Sequence, residues 1–231
     1  MFCPKPSQWW STCAALLALA CQSVPAFSHP HIEVDMKTKL IFDQNGMITG
    51  LGLFWAFDEN YSETAIEDLD KNKDGVYGPD ELLPLTKANL EAINEYNYFT
   101  AVTLAGEPVA MGKPDLGHTL QLVSDGRLAM YFTLPLAKPV DPALGHFAVR
   151  IFDPEYYIAF NYTEQTPLLD EGQKPQDCAL KLLPPPDSGD LETTRLFLSS
   201  KDTAWKPSPK EQYGGLFAQT VVVTCGKDKK K

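Results

Sequence analysis

The segment Asp70-Lys71-Asn72-Lys73-Asp74-Gly75-Val76-Tyr77-Gly78-Pro79-Asp80-Glu81 carries oxygen donors at the spacing of a twelve-residue EF-hand loop. Asp70, Asn72 and Asp74 supply side-chain oxygens at the first, third and fifth positions, and Val76 its backbone carbonyl at the seventh. Gly75 stands at the sixth, where the chain must turn sharply, and Glu81 stands at the bidentate twelfth. Gly78 at the ninth has no side-chain donor, so water would fill that place. A ring of hard oxygens suits Ca2+ and not a softer metal. Pro84 follows Glu81 closely, which predicts a kinked or ended exit helix and a second helical piece over Leu85–Tyr96. A single loop without a long lever fits a structural ion or a weak sensor.

A second set of donors lies at His29-Pro30-His31, followed by Glu33 and Asp35. Strand alternation puts His31, Glu33 and Asp35 on one face and Ile32, Val34 and Met36 on the other. Imidazole and carboxylate donors of this kind are candidate ligands for Zn2+, Ni2+, Co2+ or Cu2+. The alternative is a polar terminus leading into a strand with a wet outer face. His118 and His146 have no partner in their local sequence.

These residues begin where an export signal would end. An apolar stretch over Cys13–Cys21, too short to span a bilayer, leads to small residues, so residues 1–28 read as a signal peptide. Cleavage after Ala26 and cleavage after Ser28 both satisfy the small-x-small rule. After Ser28, His29 would bear the free amine. After Ala26, Phe27-Ser28-His29 would present an amine, two amides and an imidazole. A lipoprotein signal ending at Cys21 is disfavoured, because Ala18 stands where such signals usually carry Leu. Export to a periplasm-type compartment leaves Cys178 and Cys225, an even pair that predicts a disulfide. No mature segment is apolar enough to span a membrane.

The remaining chain, 29–231, reads as one domain. Asn45-Gly46 and Ser124-Asp125-Gly126-Arg127 are hairpin turns between alternating runs. Strands are predicted at 31–42, 48–57, 98–104, 119–123, 128–134, 147–152, 156–162, 179–183 and 216–224. The expected fold is mainly β, an antiparallel β-sandwich. A helical, EF-hand-like calcium-loop segment is inserted at about 61–96, the one helical region expected. The net charge is −10, with basic clustering only at the last residues, which argues against nucleic acid as a partner. No nucleophile elbow, phosphate loop, HExxH helix or nucleotide fingerprint is present, so an enzyme is the poorest fit.

The His-Pro-His start, Phe54-Trp55-Ala56-Phe57-Asp58-Glu59, the acidic loop, Tyr98-Phe99-Thr100, Asp153-Pro154-Glu155-Tyr156-Tyr157 and the late Cys jointly resemble the DUF1007 family. The resemblance covers nearly the whole mature chain. It implies a periplasmic component of an ABC-type transport system, encoded beside nickel/cobalt-type permeases, with an inner-membrane metal permease as partner. The leading expectation is therefore a calcium-binding accessory protein of transition-metal transport. The rival is a calcium-stabilised exported interaction module with no transported ligand.

Overall fold

The computed structural model describes residues 29–114, 120–123, 125–186, 189–201, 205–208 and 211–226. The expected signal segment and His118 lie outside them. In chain order, β1 (Ile32–Phe42) and β2 (Ile48–Phe57) form an antiparallel hairpin. Asp43 shapes its turn: Oδ1 accepts the N–H groups of Asn45 and Met47, and Gly46 takes a φ of +78°. Then come α1 (Glu59–Ile66), α2 (Pro79–Asn94), a 3₁₀ turn at Asn97–Phe99, β3 (Thr100–Leu104) and β4 (Glu107–Pro108). β5 (Leu120–Leu122), β6 (Leu128–Val140), β7 (Phe147–Ile151), β8 (Ile158–Tyr162), β9 (Leu168–Glu171) and β10 (Ala179–Leu183) follow. The chain ends in α3 (Leu191–Ser199), α4 (Tyr213–Phe217) and β11 (Thr220–Thr224).

The protein is mainly β, with two sheets. One is six-stranded in the order β5-β6-β2-β1-β8, with β9 also on β1; the other is five-stranded in the order β10-β11-β7-β3-β4. The second is antiparallel throughout. The first is mixed: β8 and β9 both lie parallel to β1, where antiparallel pairing was expected. Both strands reach β1 from far along the chain, by a route too long for hairpin geometry to dictate direction.

Burial along β1 follows the pleat, with Val34, Met36, Leu40 and Phe42 inside and the intervening residues half-exposed. One hydrophobic cluster takes Met36, Leu53, Trp55 and Phe132 from the first sheet and Val102, Phe147, Val149 and Val221 from the second. Trp55 packs edge-on to Phe132 at 5.0 Å and against Phe160 at 4.9 Å. Each such side chain contributes roughly 1.5–3 kcal/mol by burial.

Two buried hydroxyls fasten the helices to this sheet. Ser62 Oγ, on α1, donates to the Asp58 carbonyl and accepts the Leu128 N–H at 2.9 Å. Thr86 Oγ1, on α2, donates to the Leu82 carbonyl and accepts the Leu120 N–H at 3.2 Å. Leu82 and Leu90 bury the apolar face of α2. Pro84 neither ends nor splits that helix, contrary to expectation. The proline is exposed, and so is Asp80, whose carbonyl loses its intrahelical partner and can bond water instead.

α3 and α4 are helices that the strand pattern did not foretell, and β11 begins at Thr220 instead of Leu216. The cap of α3 was nonetheless present in the sequence, since Asp190 accepts the Thr193 N–H at 3.0 Å. The predicted disulfide Cys178–Cys225 is formed, with Cα atoms 4.0 Å apart. It joins residues flanking β10 and β11, whose register pairs Ala179 with Thr224. No helix among the described residues is long and apolar enough to cross a membrane.

Candidate functional site

The acidic loop connects α1 to α2, and its side chains fold onto its own backbone. Asp70 accepts the N–H groups of Asp74 at 3.2 Å and Gly75 at 2.9 Å. Asn72 Oδ1 accepts from Asp74 N at 2.9 Å, and Asp74 Oδ1 from Val76 N at 2.8 Å. Glu81 reaches back from the first turn of α2 to Lys71 N at 2.9 Å and Gly78 N at 3.1 Å. Gly75 has a φ of +76°, in the left-handed region that the sixth loop position requires. The donor set is oxygen throughout, which is the chemistry of a hard cation. The same bonds also serve as an Asx-type turn and, through the Gly78 N–H donated to Glu81, as one half of a capping box for α2, the glycine having no side chain to supply the other half. Among the described residues, no group of three or more His, Cys, Asp or Glu is close enough together to hold a metal ion. The structure orders this loop through bonds from its side chains to its own backbone.

The N-terminal histidines are better defined. His29 is 4% exposed, and its ring centroid lies 4.9 Å from that of His31 at an interplanar angle of 70°. Tyr157 packs on His31 at 4.6 Å, and Trp205 meets His29 edge-on at 5.6 Å. The backbone is held as well, because the Tyr157 carbonyl accepts the His31 N–H at 2.9 Å and the Ile32 N–H at 3.3 Å.

That carbonyl is aimed by the turn before β8. Asp153, 4% exposed, accepts Glu155 N at 3.0 Å and Ile158 N at 2.9 Å, while Tyr156 takes a φ of +57°. Burial pushes the Asp153 carboxyl above its ordinary value, although its backbone donors pull the other way. His31 is held below the ordinary histidine value, first by burial and then by the neighbouring His29. That favours the neutral imidazole, the form that binds metal. The Nε2 of His31 is buried and has no hydrogen-bond partner in the structure.

The other expected ligands do not join the histidines. The Asp35 carboxylate is engaged by Arg127 at 2.8 Å, and Arg127 also pairs with Asp125 at 2.9 Å. Glu33 is exposed; its backbone N–H donates to Asp58 Oδ2 at 2.8 Å. Residues two apart on a strand face stand nearly 7 Å from each other, so alternation alone does not gather ligands. His146 lies elsewhere, with Pro142, Gly145 and Cys225 around a small cavity. What sequence reasoning missed is the shell of the site, namely Tyr157, Trp205 and Asp153. The pair Tyr156-Tyr157 after Asp153-Pro154 was a visible signal, whereas Trp205 sits in a segment with no periodicity.

The geometry defines a β-rich protein with two packed imidazoles, that of His29 buried and that of His31 half-buried, at the start of its first strand, and an ordered acidic loop between two helices. The chain belongs to the family described as "Protein of unknown function (DUF1007)", whose model matches residues 14–225. It is also 25% identical over 203 residues to an uncharacterized protein of Haemophilus influenzae, covering 88% of this chain and 94% of that relative.

Proposed function

We propose that this is an exported periplasmic protein that binds a transition metal at His29 and His31 as an accessory to a metal permease, with calcium held by the Asp70–Glu81 loop. Its two sheets would pack face to face as a β-sandwich that presents both sites. The observation that carries the reading is the buried, unbonded Nε2 of His31 beside the His29 ring. A buried polar atom without a partner is costly, and a ligand that fills its lone pair removes that cost.

Ring spacing supports one ion shared by both imidazoles. With metal–nitrogen bonds of about 2.0–2.1 Å, two imidazoles at a tetrahedral angle have centroids about 5 Å apart, and a trans pair about 6.4 Å. The 4.9 Å found here matches the first arrangement. That favours zinc-type or cobalt-type coordination over a linear one. The transport role rests on the resemblance in sequence to components of nickel/cobalt-type systems.

Titration calorimetry of the mature, metal-stripped protein with zinc, nickel, cobalt and copper tests the reading. Tight binding of one ion that is lost in His29→Ala and in His31→Ala supports it; equal binding by these variants refutes it. A second reading, a calcium-stabilised interaction module with no transported ligand, is favoured by the ordered hydrogen-bond pattern of the acidic loop. Under either reading calcium should raise the melting temperature, since a ligand bound only by the native state stabilises it. Glu81→Gln should abolish that rise. A variant that responds as strongly as the wild type removes calcium from both readings.

A further inference from the structure

We propose that export cleavage falls after Ser28 and that the α-amine thereby freed on His29 is the third nitrogen ligand of the metal centre. The inference rests on the reading of His29 and His31 as a metal site and specifies its coordination.

Several observations converge on the amine. The His29 and His31 rings lie edge to face with centroids 4.9 Å apart, and no third His, Cys, Asp or Glu among the described residues joins them. Two nitrogens make a poor site for a zinc-type ion, which takes three protein ligands with an open position, or four. The nearest carboxylates by sequence do not supply the third: Asp35 is held by Arg127, and Glu33 is exposed. The backbone cannot supply it either. Pro30 has no N–H to ionise. The next amide, that of His31, already donates to the Tyr157 carbonyl at 2.9 Å. A metal bound by the His29 imidazole is therefore blocked from following the chain onward through amide nitrogens.

The one nitrogen still within covalent reach is that of His29 itself. As an amide, in a chain that begins at Met1 or Phe27, it is a poor ligand. As a free amine it closes a six-membered chelate ring with Nδ1 of the same residue. The residue that carries it is buried and packed against Trp205, so its position is set before metal arrives. Ala26-Phe27-Ser28 satisfies the small-x-small rule at the required place. The resulting centre holds three nitrogens and leaves a fourth position for water or for a donor from a receiving protein, which suits an ion that is passed on.

The test uses two purified forms of the folded chain, one beginning at His29 and one with a single Ala before His29. Both keep each imidazole, but only the first carries its free α-amine on His29; in the second the amine lies one residue away, on the added Ala, and cannot close the six-membered ring with Nδ1. Zinc affinity is measured by competition with a chromophoric chelator, with His31→Ala in the His29-initial form as the reference for a broken site. Loss of a direct ligand should weaken zinc binding in the Ala-extended form by at least the roughly 10–100-fold that loss of an outer-shell partner costs. Equal affinity of the two forms overturns the amine ligand while leaving the imidazole pair standing. Binding that is unchanged by His31→Ala overturns the imidazole reading itself. Mass spectrometry of the exported protein gives the second measurement. A terminus at His29 agrees with the proposal, and a terminus at Phe27 refutes it.

Discussion

Thr86→Val removes one oxygen from the interior and almost nothing else, because valine has nearly the shape of threonine. Thr86 is fully buried on α2, and its Oγ1 accepts the N–H of Leu120, itself 1% exposed. In the variant that N–H faces a methyl group. An orphaned buried donor costs about 1–3 kcal/mol. The Leu82 carbonyl loses only the side-chain bond and stays within the helix ladder, so it adds little. In a protein of this size each kcal/mol corresponds to about 2–4 °C, so the melting temperature should fall by about 2–12 °C. Ser62→Ala acts in the same way on the Leu128 N–H, at the other helix. The two hydroxyls share no partner, so their costs should add. Thr64→Val is the control, since Thr64 is exposed and its Oγ1 donates only to the Asn60 carbonyl. Thermal and urea denaturation of the three single variants and the Ser62/Thr86 double variant measure these costs. If Thr86→Val costs no more than Thr64→Val, the helices are not fastened to the sheet through these hydroxyls.

Replacing both Cys178 and Cys225 by Ser should cost about 4 kcal/mol by loop-closure entropy over the 47-residue separation, and a reductant should lower wild-type stability to match the variant. Gly214→Ala should destabilise strongly, because a Cβ there would stand 1.9 Å from the Asp153 carbonyl oxygen, which is backbone and cannot swing away. Soluble yield and melting temperature report it, and a wild-type melt would contradict the packing of α4 on the Asp153 turn. Asp153 also sets a pH dependence. Its carboxyl sits above its unfolded value, so the native state binds more protons than the unfolded one across that window. This contribution to stability therefore falls as pH rises from about 4 through the raised folded value. Asp153→Asn should flatten that decline in urea titrations across pH 4–7, and an unchanged pH slope would refute the assignment.

Local regularities were legible because they depend on neighbours in the chain. Pleat alternation in β1, the turn chemistry of Asn45-Gly46, the spacing of Asp70, Asn72, Asp74, Gly75 and Glu81, and the parity of Cys178 and Cys225 each involve a short-range rule or a simple count. The structure agrees with the alternation, the hairpin, the loop's ordered turn and the disulfide. Pro84 predicts an ended or kinked helix, and it does neither: what the sequence could not show was that it would fall on an exposed face of α2, where water can replace the bond lost at the Asp80 carbonyl.

Other features arise only when distant segments meet. Strand pairing is a long-range choice, and nothing near β1 announces that β8 and β9 will lie parallel to it. The same holds for Arg127, which reaches Asp35 across the sheet and withdraws it from the histidines. It holds for Ser62 and Thr86, polar residues whose value lies in strand amides far along the chain. The residues at 29–35 named the donors, but their surroundings belong to the fold. Tyr157 and Trp205 reach the imidazoles through the turn built on Asp153 and the segment after α3. The burial of His29 and the lowered pKa of His31 are properties of that packing, since desolvation depends on which surfaces close over a group and not on its place in the chain.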